Sequence, residues 1–121
     1  MFNKDSKILK ISFLQDCIFD KNDSYSFEKC HNDWVLTYSG TKGFFREVKI
    51  EDYKNFNRQI FSIIESWRRK YPSKYDICDG LIWQFDIKIS DRKNILHYCG
   101  HNETPDNFYD LEKFLDGYFL D

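Results

Sequence analysis

At 121 residues the chain is long enough for one core and too short for a second, so residues 1–121 are read as a single domain. A formal charge of −2 removes any global electrostatic argument for binding nucleic acid or an anionic membrane. The 12 Phe, 8 Tyr and 3 Trp imply an interior filled by large rings, with some left at the surface, where rings favour interfaces.

The N-terminal MFNKDSKILKIS lacks the apolar run of a signal peptide, and no stretch approaches the roughly 18 apolar residues of a membrane span. A cytoplasmic location is therefore expected. In that reducing compartment Cys17, Cys30, Cys78 and Cys99 are expected as free thiols.

In chain order, Leu9, Ile11 and Phe13 alternate with polar residues and predict a strand with one buried face. Asp20 to Ser24 reads as a polar loop. Tyr25, Phe27 and Lys29 make a second strand, His31-Asn32-Asp33 a turn, and Trp34, Leu36 and Tyr38 a third strand. Ser39 to Gly43 suits a reversal before a fourth strand, Phe44 to Ile50.

From Glu51 to Tyr71 the period changes. Tyr53, Phe56, Ile60, Ile63, Ile64 and Trp67 form one helical stripe, with Glu51 and Asp52 at its positive end, Arg68, Arg69 and Lys70 at its negative end, and Pro72 as the stop. Leu81 to Ile89 alternates strongly, with Ile82 on the outward face. Ser90 to Asn94 turns the chain and Ile95 to Cys99 returns as a hairpin partner. Phe108, Leu111, Phe114, Leu115 and Tyr118 then mark a second helix. In GHNETPDNF, which joins the return strand to it, Thr104 is expected as N-cap and Pro105 as the first helical residue. The predicted fold class is α+β, a two-layer domain with two helices on one face of a largely antiparallel sheet.

No chemistry stands out. Cys30-His31 and Cys99-Gly100-His101 lack the paired short clusters of a zinc site, and adjacent strand residues point to opposite faces. His97 and Cys99 share a face about 7 Å apart, and no neighbouring motif supplies an oxyanion hole. Trp67-Arg68-Arg69-Lys70-Tyr71 mixes cations and rings, but the stripe and the helix end account for it. No phosphate-binding glycine loop is present. No metal, cofactor or catalytic residue is assigned, and a non-enzymatic protein is expected. Asp16, Asp20 and Asp23, in or beside the polar loop, form a candidate acidic contact surface for a basic partner. His101, Asn102 and Glu103 are the residues of the GHNETPDNF corner that capping leaves unexplained, and they join the candidate contact set.

From Cys78-Asp79-Gly80 through the Trp83 strand, the return strand and Gly100 to Phe108, the chain resembles a group of small uncharacterised proteins of low-GC bacteria. That group shares a D-G-x-x-W strand and a G-x-N-x-x-P-x-N-F/Y helix start. Size, aromatic richness and general character are also similar to immunity proteins of bacterial toxin systems. The resemblance implies a compact accessory protein that binds another protein and neutralises a cognate toxin. Three other classes remain open: a phage or host-defence regulator that sequesters an enzyme or a small signalling molecule, an enzyme using Cys99 with a histidine, and a self-associating structural protein using the meander's edge strand. A deep pocket lined by Trp34, Trp83 or Tyr98 would favour the small ligand, and a flat sheet face would favour a protein.

Overall fold

The computed structural model describes residues 2–17, 21–41, 43–73 and 80–120. Ten elements follow in order: β1 (Ile8–Cys17), β2 (Lys21–Cys30), β3 (Asp33–Gly40), β4 (Gly43–Ile50), α1 (Tyr53–Ile64), β5 (Lys70–Tyr71), β6 (Leu81–Ile89), β7 (Leu96–His101), α2 (Phe108–Asp116) and a 3-10 turn, Gly117–Phe119. The fold is the expected α+β class. Seven strands make one sheet in the order β4-β3-β2-β1-β6-β7-β5, antiparallel throughout except for the β5–β7 pair.

Helix α1 leaves β4 at one edge of the sheet and delivers the chain to β5 at the other. The β6–β7 hairpin then returns to fill the gap between β1 and β5. A single apolar cluster lies between helices and sheet, built from Ile11 and Phe13, Tyr25 and Phe27, Trp83, Phe85 and Ile87, and Phe56, Ile60, Phe108 and Leu111 of the helices. Rings dominate it. Phe27 stacks on Phe56 at 4.3 Å between centroids, and Trp34 on Tyr53 at 4.3 Å with planes 6° apart. Each such pair contributes about 0.5–1.5 kcal/mol beyond its area burial.

Four local expectations change. The sheet register shifts between Ile8 and Lys10, so Ile8 faces the core and Leu9, expected inside, is turned out. The bulge is held by α1, where Asn57 Oδ1 accepts the Ile8 N–H at 2.6 Å and the Tyr53 hydroxyl donates to the Ile8 carbonyl at 2.6 Å. The supposed loop reaching Ser24 is strand from Lys21 onward, paired with Cys17 through Leu14.

The first helix stops at Ile64, eight residues before Pro72, because the following segment serves the sheet edge. Cys99 N–H donates to the Arg69 carbonyl, and Lys70 and Tyr71 pair with Cys99 and Gly100. The helix-end account of the basic run therefore fails. Arg68 and Arg69 instead lie over the rings of Tyr71 and Tyr98, at 4.7 and 5.3 Å. The opposite end behaves as expected in part, since Asp52 caps α1 by accepting the Asn55 N–H at 3.0 Å.

The second helix begins three residues later than Pro105, with Asn107 in the N-cap position and no side-chain cap. Thr104 and Pro105 belong to the corner before it, whose Pro105 carbonyl accepts the Phe108 N–H. The β2–β3 reversal was placed correctly: His31 and Asn32 both have positive φ, 54° and 81°, the signature of a two-residue hairpin turn that follows the twist of its strands.

Candidate functional site

Both helices cover one face of the sheet, and among the described residues the other face is open. Alternation sends Lys10, Ser12, Leu14 and Asp16 of β1 and Ile82, Gln84, Asp86 and Lys88 of β6 to that open side. The register aligns them in rows. Asp16, Ile82 and His101 stand side by side on β1, β6 and β7. Next to that row lie Ser39, Ser24, Leu14, Gln84 and Cys99, and beyond it Thr37, Ser26, Ser12, Asp86 and His97.

Two of the predicted contact residues, Asp16 and His101, are thus brought into one row on either side of Ile82, although 85 positions separate them in sequence. Neighbouring strands lie about 4.8 Å apart, so both flank Ile82 closely. Ile82 is 46% exposed and its diagonal neighbour Leu14 is 41% exposed, an aliphatic pair at the centre of the sheet. Polar groups surround the pair. His97 Nδ1 contacts the Asp86 carboxylate on one side, and serines and Thr37 of β1, β2 and β3 extend the face on the other. His101 also holds a buried Nε2 with no hydrogen-bond partner among the described residues.

The remaining predicted residues have other work. Asp23 is 2% exposed, and the Tyr38 hydroxyl donates to its Oδ1 at 2.5 Å, with the Thr41 hydroxyl at 3.4 Å. It ties β2 to β3 from inside and is not part of an exposed acidic surface. Asn102, at φ 63°, exchanges two bonds with Leu81: its N–H donates to the Leu81 carbonyl at 2.7 Å and its Oδ1 accepts the Leu81 N–H at 2.9 Å. The Glu103 carbonyl accepts the Trp83 indole N–H at 2.9 Å. Asp20 lies outside the described residues, as does Cys78. Cys17, Cys30 and Cys99 are free thiols.

Sequence reasoning missed Leu14 and the hydroxyl rows. Ile82 did carry a signal, as the one apolar residue on the polar side of a strongly alternating strand.

Cavities among the described residues lie elsewhere. One of about 870 Å³ opens between the N-terminal segment and α1, lined by Phe2, Phe61 and the side chains of Lys4, Lys7, Lys54 and Arg58 among others. The second, about 440 Å³, sits at the corner formed by Arg68, Tyr71 and Thr104 to Asn107. Neither is lined by the rings that would have marked a small-ligand pocket. Trp83 and Tyr98 are sealed in the core, and Trp34 packs against both Phe27 and Tyr53, which also stack on each other. Among the described residues no group of three or more His, Cys, Asp or Glu is placed to hold a metal ion, and no helix is long and apolar enough to cross a membrane.

Burial pushes the hydroxyl pKa of Tyr53, Tyr98 and Tyr118 above the usual tyrosine value; at Tyr98 the nearby Arg69 and Arg92 guanidiniums oppose the shift without cancelling it. These groups are structural phenols at neutral pH. Comparison of the chain with protein-family models, curated proteins and solved structures gives no match.

Proposed function

We propose that this chain is a non-catalytic protein-binding module that receives its partner on the open sheet face, in the specific form of an immunity-type inhibitor that occupies a cognate bacterial toxin. The observation that carries the reading is the Leu14–Ile82 pair, exposed on two adjacent strands well inside the sheet and bordered by Asp16, His101, Asp86 and His97. A small apolar centre inside a polar rim is the anatomy of a protein interface. The seven-stranded sheet supplies a broad, stiff platform, which suits blocking another protein's surface better than enclosing a metabolite. Sealing of Trp83 and Tyr98 in the core favours this over sequestration of a small signalling molecule.

The toxin-inhibitor form is tested by co-expression with the product of the gene immediately upstream in its native locus. Protection of the host cell by the wild-type chain, lost on Ile82→Asp without loss of folding, is the expected result. A wild-type chain that neither protects nor co-purifies would contradict it.

A further inference from the structure

The two edges of the sheet are unequal. At one, β5 is only two residues long. At the other, β4 runs for eight residues, and among the described residues its outer side makes no backbone hydrogen bond. A long open edge is a template for another strand. The most exposed large apolar side chains among the described residues also gather at this margin. Phe45 of β4 is 65% exposed, and Leu120, 79% exposed, follows Phe119, whose ring packs on Tyr38 of β3 and under the Arg46 guanidinium of β4.

We propose that two copies of this chain associate by antiparallel pairing of β4 with β4, about a two-fold axis through Val48. The charges of β4 choose that register. Glu47 and Lys49 lie on the open face, opposite Thr37 and Val35 of β3, while Val48 lies on the helix side opposite Leu36. Pairing centred on Val48 sets Glu47 of each copy against Lys49 of the other, twice, with Val48 meeting its own mate. Centring on Glu47 would oppose two glutamates, and centring on Lys49 two lysines, each unfavourable across a sheet. Lys49 already reaches Asp33 at 3.4 Å, so in the pair it stands between two carboxylates. An isologous contact of this kind closes on itself, because each long β4 edge is covered by the other. It keeps both helix layers on one side and joins the two open faces into one surface. The association holds whether or not the open face binds a toxin.

Sedimentation velocity of the full chain over a range of concentrations tests this with two charge reversals, Glu47→Lys and Lys49→Glu. Wild type sediments as a dimer. Each reversal alone sediments as a monomer, because like charges then face each other, and an equimolar mixture of the two dimerises again, because the lysines of one chain meet the glutamates of the other. A Val48→Cys chain carrying Cys30→Ser, which removes the exposed native thiol, supplies a second readout: mild oxidation links two copies across the axis, while the Cys30→Ser chain alone under the same oxidant stays unlinked. A monomeric wild type, a dimer indifferent to both reversals, variants that do not reunite on mixing, or a Val48→Cys chain that fails to cross-link would each overturn the proposal.

Discussion

Asn107 holds Trp67 in place: its Oδ1 accepts the indole N–H at 2.6 Å, and its Nδ2 donates to the Ile63 carbonyl at 2.7 Å. One side chain thus satisfies a core tryptophan and an otherwise orphaned carbonyl in the last turn of α1, and it does so from the start of α2. The two helices are joined by this amide as well as by apolar contact. Asn107→Ala should cost about 2–3 kcal/mol, because it strands a part-buried N–H and a carbonyl together. Thr104→Ala, which removes no cap, should stay within about 0.5 kcal/mol. Chemical denaturation of the two variants checks the contrast, and equal losses would contradict it.

Gly100 is the close-approach point of the β7 corner. A Cβ there would lie 2.3 Å from the Trp83 indole nitrogen and 2.5 Å from the Glu103 carbonyl, the two ends of one hydrogen bond. Gly100→Ala should therefore destabilise by about 2–4 kcal/mol, combining overpacking with loss of that bond. A melting midpoint equal to wild type would show that Trp83 can move aside.

The tyrosine hydroxyls give a pH signature. Burial raises the folded pKa of Tyr53, Tyr98 and Tyr118 above the unfolded value of 10.0, so the protonated phenol is favoured in the folded state. Their contribution to stability is complete below pH 10 and is lost as the pH rises through the folded values. Titration followed by phenolate absorbance should show a tyrosine fraction ionising later in the native protein than in denaturant. Coincident curves would contradict the burial of these hydroxyls.

Strong periodicity made much of this fold legible. The Leu81–Ile89 strand, the meander and the two apolar stripes follow from alternation or helical spacing alone. What was not legible depended on partners distant in sequence. Trp67 fits the α1 stripe, yet it is buried after the helix has ended, because β7 requires a parallel neighbour and Arg69 to Tyr71 provide it. Leu9 fits a strand face until the bulge at Ile8, fixed by Asn57, exchanges the two. Asp23 reads as a loop acid because nothing local reveals the Tyr38 hydroxyl that receives it inside the protein. At the candidate site, Ile82 was visible as an anomaly, but its place between Asp16 and His101 is a property of strand order.

Titration calorimetry of the purified chain against the co-purified upstream product measures whether the open face binds a protein partner. Wild type should bind, Ile82→Asp should weaken binding by roughly thirty-fold or more, as loss of a central anchor does, and Lys54→Glu on the helix side should leave affinity unchanged. Ile82→Asp binding as tightly as wild type, with Lys54→Glu impaired, would contradict binding through the open face and move the site to the helical face.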